Sequence, residues 1–346
     1  MANKKVLVVG SARESFGGVS STIKLMERMP VWKDFSCHWL GTQIQRNYLW
    51  KLWYAVKSNF TAFFILWRYD IIHFHTVPDR ICLIIQLPIF LLALLWHKRI
   101  IMHIHMGNQL RNHTQNTLFL WHLRHADHII LLAKKWQQLF EESYPSITKP
   151  ISVLYNSCES RPHSDYSNRD KTILMAAYFN DNKAPDVLLR AWKRIKEKYP
   201  AWHIYMLGNG EVERFRQMVV DMELQDCVHF TGYVTGEEKE RFFSRASILA
   251  MCSYEEGFPM VVLEAWSYGI PVITTPVGGL PDVIEEGRNS VTFPFGDNET
   301  LATNLSRLID DEERRRKMSE YSQHFVKEHF SAEHINEQLR CIYERL

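Results

Sequence analysis

The sequence has few cysteines, and no two of them are separated by two residues. Six Cys are scattered over 346 residues. Their spacing argues against a zinc knuckle or a disulfide framework and favours a reducing compartment. Apolar runs long enough to span a membrane are also missing. A membrane-spanning helix needs about 20 apolar residues. The most apolar segment, 81–96, is shorter than that and contains Gln86 and Pro88. Since it falls between two predicted strands, we interpret it as a buried crossover helix.

The first residues, MANKKVLVVG, contain an apolar stretch that is too short for a secretory signal. A β-strand explains this stretch better. We therefore expect a cytoplasmic protein. Whether it also associates with the inner face of the cell membrane depends on segment 48–70, which carries Lys51, Lys57 and Arg68 among many aromatic residues. This segment is compatible with an interfacial helix and with an ordinary core helix.

The charge is distributed unevenly along the chain, although its net value is only +2. Residues 1–150 contain 18 Lys and Arg against 8 Asp and Glu, a net charge of +10. Residues 151–346 contain 23 against 31, a net charge of −8. The first part also holds eight of the eleven Trp. A basic, Trp-rich domain suits an anionic membrane surface or a phosphorylated ligand. It is equally compatible with a basic domain that has an aromatic core.

Short apolar β-rich runs alternate with longer stretches of helical spacing. This alternation predicts an α/β protein whose parallel sheets are covered by helices on both faces. The polar, turn-rich stretch between about 156 and 170 predicts a hinge between two such domains. The predicted strands are 4–10, 70–75, 99–105, 127–132, 151–155, 171–178, 202–208, 227–233, 247–253, 271–275 and 290–294. The predicted helical stretches include 112–126, 184–198, 210–224, 236–246 and 298–328.

Residues 253–271, SYEEGFPMVVLEAWSYGIP, carry the clearest chemical pattern. Pro259 suits the first position of a helix, and Gly257 suits the turn that leads into it. The amides of residues 260–262 would then have no partner within the helix. A helix terminus of this kind binds anions, and a diphosphate fits it.

Two glutamates flank this predicted helix terminus. Glu256 precedes it and could reach the sugar end of a ligand, whereas Glu264 lies about one turn inside and could bind the hydroxyls of a ribose. Together with the phosphate site, the two acids suit a nucleotide-sugar. For the two acids alone, an ordinary helix-terminal acid and a glutamate at the edge of the core are the simpler interpretation.

The longer run EGFPMVVLEAWSYGIPVITTPVGGLPDVI resembles the C-terminal signature of the family-4 retaining glycosyltransferases, which have the GT-B fold. The resemblance extends over nearly the whole chain. It implies two Rossmann-like, doubly wound parallel-sheet domains that face a cleft. The N-terminal acceptor domain would comprise 1–158 and a C-terminal helix, 330–346, that crosses back to it. A linker would follow at 159–170, and the nucleotide-sugar donor domain would comprise 171–329.

The resemblance also implies a set of site residues. His105, Glu256 and Lys183 match the catalytic positions, with His105 at the end of a strand beside the transferred sugar. The loop with Gly17 and Gly18 would approach the donor phosphates, and Tyr233 would contact the base. The implied donor-binding residues are Gly17, Gly18, Tyr233, Gly257, Phe258, Pro259, Met260, Val261, Val262 and Glu264.

One stretch, MAAYFNDNKAP, departs from the family pattern. Lys183 matches the family lysine, but Ala184 replaces the following glycine and Tyr178 stands where an arginine is usual. That arginine helps to neutralise the leaving diphosphate, and a tyrosine does not replace its charge. A non-catalytic GT-B subunit that binds sugar-nucleotides or serves as a scaffold is therefore the alternative interpretation.

Two His-x-His pairs raise the question of a metal. His73 and His75, like His103 and His105, share one face of a strand and could chelate a transition metal. No Asp or Cys cluster accompanies them in sequence. GT-B enzymes as a class use positive side chains and helix termini at the diphosphate, so we expect neither a metal nor another cofactor.

The expected reaction is sugar transfer, with retention at the anomeric carbon, from a nucleotide-diphosphate-sugar to a saccharide or lipid-linked acceptor. Cell-surface polysaccharide biosynthesis is the expected setting, and no nucleic-acid partner is expected. A nucleotide-sugar 2-epimerase shares the architecture but not the spacing of Glu256 and Glu264.

Overall fold

The computed structural model describes residues 4–15, 17–44, 48–159, 161, 166 and 169–346. The chain forms two compact units. Unit 1 comprises Met1–Ser157 and Phe330–Leu346, and unit 2 comprises Cys158–His329. Most of the predicted linker, 159–170, lies outside the described residues.

Each unit is built from strands that alternate with helices. The strands are β1 Val6–Ser11, β2 His38–Gln43, β3 Ile71–Thr76, β4 Arg99–Ile104, β5 His128–Leu131, β6 Ile151–Val153, β7 Thr172–Ala176, β8 His203–Leu207, β9 Val228–Gly232, β10 Ile248–Met251, β11 Val272–Thr274 and β12 Ser290–Thr292. The helices are α1 Gly18–Met26, α2 Pro30–Asp34, α3 Tyr48–Ile65, α4 Arg80–Leu95, α5 Thr117–His125, α6 Lys134–Ser143, α7 Pro185–Ile195, α8 Val212–Asp221, α9 Gly236–Arg245, α10 Met260–Ser267, α11 Asn298–Asp310, α12 Glu312–His329 and α13 Ala332–Arg345.

Unit 1 contains a parallel sheet with the strand order β2-β1-β3-β4-β5-β6. One face packs against α1, α2 and the C-terminal helix α13 through a core that includes Ile23, Leu339 and Tyr343. The helix α4 connects β3 to β4, as predicted for the apolar segment 81–96. Its Asp79 N-cap accepts hydrogen bonds from the amides of Ile81 and Cys82. One face of α4 is exposed, however, so this helix is only partly buried.

Unit 2 contains a second parallel sheet, with the order β12-β11-β10-β7-β8-β9. Its main core lies between the sheet and helices α7, α8 and α11, with Trp192, Phe215 and Leu305 fully buried. Strands β8 and β9 follow on one side of β7, whereas β10 lies on its other side and β11 and β12 continue away from β7. The strand order therefore reverses between the neighbouring strands β7 and β10, as in doubly wound folds. The predicted α/β architecture of two doubly wound sheets is confirmed.

Three local features differ from the sequence predictions. Strand β2 was not predicted, because it is an edge strand with a mixed polar sequence, HWLGTQ, and only Leu40 and Thr42 are buried. The stretch 298–328 forms two helices, since the Asp311 carboxylate accepts a hydrogen bond from the amide of Arg314 and begins α12. Helix α5 starts later than predicted, after Asn116, whose side chain caps it.

No helix in the described ranges is long and apolar enough to cross a membrane. All six cysteines are unpaired.

Candidate active site

The predicted catalytic residues of unit 2 lie at the carboxyl ends of β7 and β10. In open parallel sheets, ligands bind at this edge where the strand order reverses. The loop after β7 carries Tyr178 and Lys183, and the loop after β10 carries Glu256. The topology therefore places these three residues at the usual ligand-binding position of a doubly wound sheet.

Lys183 and Glu256 contact each other directly, although they are 73 residues apart. The Lys183 ammonium donates a hydrogen bond to Oε1 of Glu256. The Ser253 hydroxyl donates to the same oxygen at 2.8 Å. The side chains of Lys183 and Glu256 are 23% and 14% exposed. This is a partly buried, charge-paired site that an incoming ligand can reach.

Asn182 holds the two loops together. Its carbonyl oxygen accepts from the amide of Tyr254 at 2.7 Å. Its side chain exchanges two hydrogen bonds with the backbone of Glu255, at 3.0 and 3.1 Å. Because Asn182 and Glu255 adjoin Lys183 and Glu256, these bonds fix the distance between the two charged residues. Asn182 was not predicted, since sequence spacing gives no sign of a contact between distant loops.

The helix terminus differs in detail from the prediction. Pro259 is the N-cap of α10 and not its first residue, with φ −73° and ψ 113°. The amide of Val262 is not free either, because it donates to the Pro259 carbonyl oxygen at 3.3 Å. A proline N-cap has an extended backbone, which shifts the start of the helix by one residue. The N-terminal amides of Met260 and Val261 remain the candidate anion donors of this terminus.

Glu264 lies in the second turn of α10 and forms an ion pair that was not predicted. The Lys239 ammonium donates to Oε2 of Glu264 at 2.7 Å. Both side chains are about one-third exposed. Lys239 lies on α9 within an acidic, amphipathic sequence, so nothing in its neighbourhood signalled a role in the site. A ribose bound to Glu264 would have to share this carboxylate with Lys239 or displace it.

Gly278 supports the backbone of the Glu256 loop. It has a left-handed backbone, with φ 66°, and a Cβ at this position would lie 2.8 Å from the carbonyl oxygen of Glu256. Gly296 also has a positive φ, 79°, but a Cβ there would meet no atom within 4 Å. An alanine at Gly278 would therefore have both backbone strain and a steric contact, whereas an alanine at Gly296 would have backbone strain alone.

We expect Gly278→Ala to lower the free energy of unfolding by about 2–4 kcal/mol, because strain and a backbone contact add. Gly296→Ala, the matched control, should lose about 1–2 kcal/mol from strain alone. Urea unfolding monitored by circular dichroism measures both values. Equal losses for the two variants would show that the Gly278 contact relaxes at no cost.

The two tyrosines of the predicted site are exposed. Tyr178, in place of the family arginine, is 65% exposed at the end of β7, and Tyr233 is exposed after β9. Ala184, in place of the family glycine, adopts a left-handed backbone with φ 44° and caps α7. A glycine takes this conformation without strain, whereas alanine does not.

The predicted residues of unit 1 lie at the carboxyl edge of its sheet. Gly17 is the N-cap of α1 in the loop after β1, with φ 118°, and Gly18 is the first residue of that helix. His105 follows β4 directly and is buried. Its Nε2 forms a 2.8 Å hydrogen bond with Nδ1 of His75.

The two His-x-His pairs come together in one cluster. His75 of β3 is the register partner of His103 of β4, and the rings of His73 and His105 adjoin them. Burial lowers the pKa of His73 and of His105 to about 3. Burial also lowers the pKa of His75 and of His103 well below the usual value. All four rings are therefore neutral at physiological pH, which is the form that binds metals. Ring nitrogens of His73, His75 and His103 lie within 4.8 Å of one another.

The fold of the chain matches solved structures over almost its whole length. It is the GT-B fold of glycosyltransferases: the structure of Anabaena Alr3699/HepE in complex with UDP and glucose matches with a TM-score of 0.77 and 17% identity, over 99% of this chain and 100% of that one. Residues 158–325 match the family Glycosyl transferases group 1. The matched residues comprise nearly all of unit 2, Cys158–His329.

Curated relatives match shorter stretches. The D-inositol 3-phosphate glycosyltransferase of Corynebacterium jeikeium (strain K411) is 31% identical over 187 residues, which cover 51% of this chain and 44% of the relative. The exopolysaccharide phosphotransferase SCO2592 of Streptomyces coelicolor is 28% identical over 247 residues, which cover 70% of this chain and 26% of the relative. The chain thus spans less than half the length of either relative.

Proposed function

We propose that the protein is a retaining glycosyltransferase that transfers a sugar from a nucleotide-diphosphate-sugar to a saccharide or lipid-linked acceptor. The observation that carries this proposal is the contact between Lys183 and Glu256 at the reversal of strand order in unit 2. A cation and an acid are thereby held beside the N-terminus of α10. This arrangement supplies binding groups for both ends of a sugar-diphosphate bond.

Each charged group has a distinct role in the proposed reaction. Glu256 binds hydroxyls of the transferred sugar, and Glu264 binds those of the ribose. Lys183 and the amides that begin α10 stabilise the negative charge that develops on the leaving diphosphate. His105 of unit 1 contacts the transferred sugar. Since these groups supply the positive charge and hydrogen-bond donors that the leaving group needs, we propose that the transfer requires no metal.

The UDP ligand in the structure of Anabaena Alr3699/HepE supports a nucleotide donor. The name of the Streptomyces relative supports a setting in extracellular polysaccharide assembly. We propose that setting for this protein too, with a saccharide or lipid-linked acceptor.

Incubation with a panel of UDP-, GDP- and ADP-sugars tests the function. We expect nucleotide release with one of these donors, and a thermal shift caused by the matching nucleoside diphosphate. A ligand present at 100 times its Kd stabilises the folded state by about 2.7 kcal/mol. Proton NMR of the product reports whether the anomeric configuration is retained. An inverted anomer would contradict the retaining mechanism, and an epimerised donor would identify a 2-epimerase.

The exposed Tyr178 is the observation that favours the second candidate, a non-catalytic subunit that binds sugar-nucleotides. A tyrosine supplies no positive charge to the diphosphate, so the site has one cation fewer than the family pattern. Nucleotide-dependent stabilisation without any turnover across the panel, with acceptor present, would favour this candidate over the enzyme.

A surface of unit 1 supports a membrane-bound acceptor. Helix α3 exposes a stripe of large apolar residues at spacings of three or four: Leu49, Trp53, Val56, Phe60, Phe64 and, just beyond the helix, Trp67. Helix α4, which packs against α3, exposes Ile81, Ile84, Leu91 and Leu95. Patches of this kind mark interaction sites. We call this surface the α3–α4 face.

The positive charge around the α3–α4 face indicates an anionic partner. Neither helix contains Asp or Glu, whereas Lys51, Lys57 and Arg68 are exposed on or next to α3. Aromatic side chains beside basic ones suit insertion at an anionic lipid surface. We therefore propose that the α3–α4 face binds the inner face of the cell membrane, where a lipid-linked acceptor would be located.

A further inference from the structure

The histidine cluster of unit 1 occupies the centre of its sheet. His73 and His75 lie on β3, and His103 lies on the adjacent β4 with its side chain on the same face. All three are at most 2% exposed. The cluster is therefore a feature of the core and does not belong to the donor site of unit 2.

Several ring nitrogens of this cluster lack hydrogen-bond partners within the part of the chain that the structure describes. They are Nε2 of His73, Nε2 of His75 and both ring nitrogens of His103. A buried polar atom without a partner costs about 1–3 kcal/mol. Three adjacent histidines that all carry such atoms are an arrangement that a bound species would stabilise.

We propose that His73, His75 and His103 bind one Zn²⁺ ion in the core of unit 1. Imidazole nitrogen is a preferred zinc ligand, and three histidines with a fourth, water-occupied position form a known type of zinc coordination. The three residues offer ring nitrogens within 4.8 Å of one another. Ligands of a tetrahedral zinc ion are about 3.4 Å apart, since each Zn–N bond is about 2.1 Å long. Binding of zinc therefore requires the distances between these nitrogens to shorten by up to about 1.4 Å.

The remaining ring nitrogens already have the partners that a zinc site needs. Metal-binding histidines usually donate their second N–H to a neighbouring acceptor, which fixes the ring orientation. Nδ1 of His73 is 2.7 Å from the Tyr343 hydroxyl. Nδ1 of His75 is 2.8 Å from Nε2 of His105. In both residues the nitrogen that is hydrogen-bonded is Nδ1 and the one left for a metal is Nε2.

The zinc site would also orient His105. With zinc on Nε2 of His75, the proton of this ring is on Nδ1, and this N–H donates a hydrogen bond to Nε2 of His105. The proton of His105 is then on Nδ1, so this ring can donate from that nitrogen. This consequence rests on the proposed function, whereas zinc binding itself does not.

Metal analysis of the full-length, tag-free protein tests the proposal. After treatment with a chelator, the protein is titrated with Zn²⁺ in competition with a chromophoric indicator, and with Co²⁺ by visible absorption. We expect about one equivalent of bound metal, a Co²⁺ spectrum typical of tetrahedral coordination, and a higher Tm with Zn²⁺. Less than about 0.2 equivalents, or no change in Tm, would overturn the proposal and leave a buried water as the partner of these nitrogens.

Variants locate the metal. His103→Gln should lower zinc affinity at least about 100-fold. Tyr343→Phe keeps all three ligands and should lower it about 10-fold or more, through the loss of a partner of His73. The control is His229→Gln, because His229 and His203 form another close histidine pair, in unit 2, with ring nitrogens 3.0 Å apart. Loss of zinc from His229→Gln, or full affinity in Tyr343→Phe and in folded His103→Gln, would refute the assignment.

Discussion

Glu256→Gln lowers the rate of sugar transfer by about 10²- to 10³-fold while the protein remains folded. The glutamine keeps the size and one acceptor oxygen of the side chain but loses the charge that holds Lys183. Both the hydrogen bonds to the sugar and the position of Lys183 are then weakened. Groups that stabilise developing charge in a preorganised site typically contribute this much to the rate. The rate of nucleotide release with the preferred donor measures the effect.

The neighbouring residue provides the control for this experiment. Glu255→Gln makes the same chemical change one position away, on an exposed side chain. Glu255→Gln should therefore retain nearly full activity. Lys183→Ala should resemble Glu256→Gln, because it removes the cation that faces the leaving diphosphate. Turnover that survives both Glu256→Gln and Lys183→Ala, with circular dichroism unchanged, would show that the active site lies elsewhere.

Replacement of three aromatic residues on α3 abolishes binding to anionic vesicles. The variant Trp53→Ser/Phe60→Ser/Phe64→Ser removes side chains that are all more than half exposed. Full burial of one such side chain contributes about 1.5–3 kcal/mol, so partial insertion of three still accounts for at least about a 100-fold change in affinity. Because the side chains are exposed, the variant should unfold at nearly the same Tm. Flotation with phosphatidylglycerol vesicles measures the binding.

An exposed aromatic residue of unit 2 serves as the control. Phe295→Ser changes the same type of side chain away from the α3–α4 face and should leave flotation unchanged. The unmodified protein should bind more weakly at about 0.5 M salt than at about 0.05 M, because salt screens Lys51, Lys57 and Arg68. No binding to anionic vesicles at low salt would refute a membrane role for this surface. Equal binding by the triple variant would move the contact to another surface.

The sequence alone determined the α/β architecture, and it located the motif with Glu256 and Glu264 that we propose as the donor site. Apolar runs that alternate with helical stretches are typical of doubly wound parallel sheets, because buried strands need helices on both faces of the sheet. Such patterns are local, so they can be recognised along the chain. The edge strand β2 was missed for the same reason, since its sequence HWLGTQ contains little local apolar pattern.

The tertiary structure decided which side chains meet. Lys183 and Glu256 are 73 residues apart, and Lys239 and Glu264 lie on different helices, so only the crossing of the chain between strands brings each pair into contact. The histidines show the same division. The His-x-His spacing placed two rings on one face of each strand, but the pairing of β3 with β4 created the buried cluster. A strand pattern records which face a residue occupies, whereas the register between strands sets its neighbours, and register depends on packing across the whole unit.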